Sequence, residues 1–121
     1  MRFPRILLAI ALCATAPVAT PLFADDDFTR ITSDTDFRKL VVGKKVQYDW
    51  GYVVAKRNGA LRGEANGKAL KGAWAWRDGF WCRTLETHRA DTDCQVAEIN
   101  GKQVRFTRKR GKGTAVTGKI K

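Results

Sequence analysis

Four dipeptides punctuate this 121-residue chain at short intervals: Asn58-Gly59, Asn66-Gly67, Asp78-Gly79 and Asn100-Gly101. Each suits a two-residue type I′ turn, in which both central residues take positive φ and the flanking strands keep their right-handed twist. The segments between them read as strands at about 44–57, 60–65, 68–77, 80–86, 93–99, 102–108 and 114–120, with Gly51 placed to bend the first into two.

Because a one-residue slip turns every side chain to the other face, a register that keeps one face apolar through successive hairpins is a strong constraint. With Val46, Tyr48, Trp50, Tyr52 and Val54 inward, the Asn58-Gly59 turn sets Val54 opposite Gly63 and Tyr52 opposite Ala65. The next turns set Gly63 against Leu70, Leu61 against Gly72, Trp76 against Trp81 and Trp74 against Arg83. Where Cys82 faces Cys94, Trp81 meets Gln95; then Ala97 faces Val104, Gln95 faces Phe106, and Val116 comes opposite Phe106. All four tryptophans fall on this face, while Lys45, Gln47, Asp49, Arg62, Glu64 and Lys71 fall on the other.

Glycines at inward positions 63, 72 and 118 let such a sheet curl. The expected fold is all-β: a small antiparallel up-and-down meander barrel of seven or eight strands with one short N-terminal helix, the alternative being a two-sheet β-sandwich. The helix lies within Ser33–Gly43, with acids in its first turn, Phe37, Leu40 and Val41 on one face to close a barrel end, and Gly43 as the stop.

Residues 1–24 have the layout of a secretory signal: Arg2 and Arg5, an uncharged run from Ile6 to Ala16, Pro17 and Pro21, and Ala24 before Asp25-Asp26-Asp27. The run is shorter than the roughly 20 residues of a membrane span. Cleavage is expected after Ala24, and Leu12 before Cys13 argues against a lipidated terminus. The domain reading is a signal peptide at 1–24, a flexible acidic N-terminus at 25–32 and one barrel domain at 33–121, in a periplasmic or secreted protein, expected to be monomeric. Cys82 and Cys94 are then the cysteines that remain, and in an exported chain such a pair reads as a disulfide.

The chain carries a net charge of +11. From Phe37 onward there are 20 basic and 7 acidic residues, and no acid follows Glu98. Such a field draws anions and acidic partners.

The segment Trp74-Ala75-Trp76-Arg77-Asp78-Gly79-Phe80-Trp81-Cys82-Arg83, followed by Asp93-Cys94-Gln95 and a final hairpin bounded by Asn100-Gly101 and Gly111-Lys112-Gly113, resembles a group of small, uncharacterised exported bacterial proteins with a W-x-W-x-D-G-aromatic-x-C-R…C-Q core. Some members carry a dihydrodipicolinate reductase label. A nicotinamide fold needs a glycine-rich turn between a strand and a helix, whereas Gly111-x-Gly113 lies in a hairpin loop, so the label has no support here.

Arg83 and Gln95 are polar residues at inward positions among Trp74, Trp81 and Phe106. That set describes a candidate ligand pocket in which Arg83 meets the anionic end of a small amphiphile; the competing reading stacks Arg83 on Trp74 with its head in water. Arg105, Arg108, Lys109, Arg110, Lys112 and Lys119 form a candidate anion-binding surface, without the alternating aromatics that base stacking needs, which argues against nucleic acid. Val53, Ala55, Ala73, Ala75 and Phe80 make an outer apolar patch for a partner or for the N-terminal segment to cover. His88, with Glu86, Asp91 and Asp93 nearby, reads as a solvated loop, and neither a metal nor a cofactor is expected. Ser33 is the only serine and the cysteines are paired, so no nucleophile stands beside His88. The leading expectation is therefore a non-catalytic binding module whose basic face engages an acidic protein or anionic envelope polymer, with a carrier of a small anionic amphiphile as the alternative and an enzyme third.

Overall fold

A computed structural model describes residues 13–14 and 27–121. The segment read as a secretory signal and the cleavage site expected after Ala24 lie outside the described residues, apart from Cys13 and Ala14. Among the described residues, no helix is long and apolar enough to cross a membrane.

The strands are β1 (Thr29–Arg30), β2 (Val46–Tyr48), β3 (Gly51–Ala55), β4 (Ala60–Ala65), β5 (Lys68–Arg77), β6 (Phe80–Leu85), β7 (Asp93–Asn100), β8 (Gln103–Thr107) and β9 (Ala115–Ile120), with helix α1 (Asp34–Leu40) before β2. Each strand from β2 to β9 pairs with its sequence neighbour, and β9 returns to β2, which closes an eight-stranded antiparallel meander barrel. A closed barrel leaves few edges to protect. The sandwich alternative is thereby set aside. A disulfide joins Cys82 and Cys94, which are direct cross-strand partners on β6 and β7.

Turn chemistry explains most of the register. Asn66 and Gly67 have φ of 52° and 82°, and Asp78 and Gly79 have 51° and 84°, so both dipeptides form two-residue turns with both central residues left-handed. Gly63 faces Leu70, Leu61 faces Gly72, Trp76 faces Trp81, Trp74 faces Arg83 and Trp81 faces Gln95, as the alternation predicts.

Three joints differ. The expected strand 44–57 is a hairpin, turning at Asp49-Trp50 so that Tyr48 faces Gly51; Gln47 Nε2 donates to the carbonyls of Tyr48 and Gly51 at 3.2 and 2.9 Å and braces the turn. Asn58-Gly59 belongs to a three-residue loop, in which Lys56 N donates to Ala60 O at 2.8 Å, Gly59 N donates to Lys56 O at 3.0 Å and Asn58 Oδ1 accepts from Ala60 N. Val53 therefore faces Gly63 and Gly51 faces Ala65. Each change reverses the facing of β3 relative to a neighbour, so together they cancel and leave β4 onward in the expected phase. Val53 and Ala55 point inward, Ala55 being buried, and the outer apolar patch loses both; Trp50 leaves the inward face for the rim, 37% exposed.

The third joint turns at Gly101-Lys102, with Gly101 at φ 59°, so Ile99 faces Val104 and Ala97 faces Phe106. This is a two-residue slip, which preserves the face. Val116 still faces Phe106.

Residues 25–32 were expected to be loose. Instead Thr29 and Arg30 pair with Ile99 and Glu98 of β7, Ile31 N donates to Ala97 O at 2.9 Å, and Ile31 is buried. The free edge of β7 beyond β6 is what they cover. Arg30 also lies 5.0 Å over the Phe80 ring and donates to Gly79 O, so Phe80 is covered as well.

Ser33 caps α1 by accepting from Asp36 N at 3.1 Å. Phe37 is fully buried and touches Trp74, Trp76, Trp81 and Phe106 with ring centroids 5.3–6.4 Å apart. Arg38 donates to Arg57 O and Trp74 Nε1 donates to Lys56 O, fixing the helix over the end that carries the β3–β4 loop. One end of the barrel is plugged.

Candidate functional site

The other end, where the Asp49-Trp50 turn, the Asn66-Gly67 turn and the loops after β6 and β8 gather, opens into a cavity of about 260 Å³. Its floor is Phe37 of α1 and the C-cap residue Val41. Val46, Val53, Ala55, Leu61, Trp81 and Phe106 make the wall, and Tyr48, Trp50, Leu70, Leu85 and Val116 make the rim. The polar groups in this apolar lining are few: Arg83, Gln95, Arg108 and the Tyr48 hydroxyl.

Alternation on β6 and β7 turns Arg83, Asp93 and Gln95 to the same side. Asp93 is fully engaged: it accepts from Gln95 Nε2, Arg108 Nε and Lys109 N at 2.9, 2.9 and 3.0 Å. Burial pushes its pKa up, but these three hydrogen bonds outweigh burial and hold it below the usual carboxylate range. Arg83 has no hydrogen bond or ion pair among the described residues. Burial lowers its pKa, Asp93 opposes that shift and Arg108 adds to it. Burial likewise pushes the Tyr48 phenol up to about 12, with the Arg83 charge pulling the other way. Trp81 Nε1 is a buried donor with no acceptor. The cavity thus sets a cation with no hydrogen bond or salt bridge among the described residues against apolar walls, which favours an anion carrying an apolar body.

Of the predicted pocket, Arg83, Gln95, Trp81 and Phe106 meet in this cavity. Trp74 does not; it packs under α1, and the cation over its ring is Arg38 at 5.0 Å rather than Arg83. Tyr48 and Trp50, stacked at 4.7 Å with 6° between their planes, are rim residues that alternation assigned to the general interior. Asp93 was within reach of sequence reasoning, since it stands opposite Arg83 one step beyond the disulfide.

The predicted anion-binding set divides. Arg105 makes a two-bond contact with Glu98 at 3.0 and 2.9 Å and covers Phe28. Arg108 is tied to Asp93 at the cavity mouth, and Arg110 lies 5.2 Å over Phe80. Lys109, Lys112 and Lys119 are exposed. His88 Nδ1 is 2.9 Å from Thr87 Oγ1, and among the described residues no three His, Cys, Asp or Glu side chains converge on a metal-sized site. No protein-family model, curated protein or solved structure is significantly similar to this chain, so the resemblance of the Trp74–Arg83 segment brings no function to the site.

Proposed function

We propose that the barrel is a non-catalytic binding protein that holds a small amphipathic anion, its apolar body in the cavity and its charged end on Arg83. The observation that carries this reading is Arg83 itself: a half-buried guanidinium in the cavity lining with no hydrogen bond or salt bridge among the described residues. Arginine presents a planar set of donors matched to a carboxylate or phosphate. An oxidising compartment outside the cytoplasm fits the Cys82–Cys94 disulfide.

Octanoate and octanol share a tail and differ in head charge, and Trp81 in the wall gives a fluorescence readout. Octanoate should bind more tightly by about tenfold or more, equivalent to about 1.4 kcal/mol, and Arg83→Ala should erase the difference. Equal affinities in the parent protein would sink the reading. Native mass spectrometry before and after organic extraction tests for an endogenous occupant.

A further inference from the structure

The barrel wall has an open seam. β2 pairs with β9 only through Val46 with Ile120 and Gln47 with Lys119, extended by Lys121 N donating to Lys45 O at 2.9 Å. After Tyr48 the chain turns at Asp49-Trp50 and leaves β9, which begins at Ala115. Backbone groups alternate sides along a strand. Ile120 N donates toward β8, to Lys102 O at 2.6 Å, while Lys121 N donates toward β2. The same alternation directs the N–H and C=O of Ala115 and Thr117 to the β2 side, where neither has a partner among the described residues. Both residues are exposed. The groove beside them is lined by Gln47, Asp49, Trp50, Val116, Lys119 and Lys121, and Trp50 and Val116 are the exposed large hydrophobics of the described residues. An open edge is a template for another strand.

We propose that the β9 edge at Ala115 and Thr117 accepts an extended, acidic segment of a partner protein by strand addition. Val116 and Thr117 project to opposite faces, so side chains of an added strand alternate between Trp50 and Val116 on one face and Lys119 on the other. The groove has two lysines against the single Asp49, in a chain of net charge +11. A second copy offering the same edge would bring Lys119 and Lys121 of both chains together, which like-charge repulsion disfavours. This inference stands on the unpaired β9 edge; the groove shares Trp50 and Val116 with the cavity rim but requires no anion on Arg83.

The test uses 15N-labelled protein with an octapeptide of alternating Glu and Val, beside its Lys-Val counterpart. The acidic peptide should shift and slow exchange of the Ala115 and Thr117 amides. Thr117→Pro removes an N–H that the β8 ladder does not use, so the barrel should persist while peptide affinity falls at least tenfold; Thr117→Val should keep it. If Thr117→Pro does not fold, Ala115→Pro, at the first strand position, serves the same purpose. No binding, equal binding of the Lys-Val peptide, or binding unchanged in the proline variant overturns the proposal. Self-association abolished by the proline also overturns it, assigning the edge to a second copy.

Discussion

Asp93 holds Arg108 and the residue after it together: Oδ2 accepts from Arg108 Nε at 2.9 Å and Oδ1 accepts from Lys109 N at 3.0 Å. These bonds pin a turn, Arg108–Gly111, whose Lys109 and Arg110 have φ of 53° and 55°. Non-glycine residues avoid that region unless their surroundings enforce it. A carboxylate on β7 therefore shapes one wall of the cavity mouth.

Replacing Asp93 by Ala should cost about 2 kcal/mol in urea unfolding, chiefly through the unmet Lys109 N–H and Gln95 amide. The ion pair itself adds less, since the Arg108 side chain is 51% exposed. Because the folded-state pKa of Asp93 lies below its ordinary 3.8, its contribution is present above that value and is lost as pH falls through the folded-state value. Asp93→Asn should flatten the stability profile in that window. A profile identical to the parent's would show that Asp93 is not the group responsible.

Tyr48 gives an alkaline counterpart. Its pKa is raised from 10.0 to about 12, so its stabilising contribution is complete below 10 and fades as pH rises to about 12. Ultraviolet titration should contain a phenolate step near 12 that Tyr48→Phe removes. An unchanged titration in that variant would contradict a half-buried, desolvated phenol at the rim.

At Gly63 the backbones of β3 and β4 run too close for a side chain between them. A Cβ there would lie 2.0 Å from the Tyr52 carbonyl oxygen, and backbone offers no flexible end to move aside. Gly63→Ala should destabilise the barrel by about 3 kcal/mol, beyond the ordinary effect of a strand substitution. Thermal unfolding within about 1 kcal/mol of the parent would mean that these strands part more freely than their spacing implies.

The Asn-Gly and Asp-Gly dipeptides were legible in unequal measure. Asn66-Gly67 and Asp78-Gly79 form the turns their chemistry favours, because the strands on both sides tolerate a two-residue loop in that phase. Asn58-Gly59 and Asn100-Gly101 are the same local signal with other outcomes. A dipeptide marks where positive φ is inexpensive, yet it does not select which neighbour becomes the second central residue. The Asp49-Trp50 turn had no such mark beyond Gly51. Much of the site nonetheless emerged from alternation, since Arg83, Gln95, Trp81 and Phe106 needed only the correct face, and the two reversals before β4 cancelled.

Alternation, turn chemistry and the paired cysteines were sufficient by themselves to specify an antiparallel meander, its apolar face outside β3, the helix cap at Ser33 and the Cys82–Cys94 bridge, because each rests on contacts between near neighbours in sequence or across one hairpin. Closure required all eight barrel strands to arrive in register at once, and that collective condition selected the loop at Asn58, the turn at Gly101 and the short β2–β9 seam. It also decided which cations were left unpaired. Asp93 is the cross-strand partner of Arg83 yet bonds to Arg108 and Lys109 in the loop after β8, a contact that no local pattern encodes.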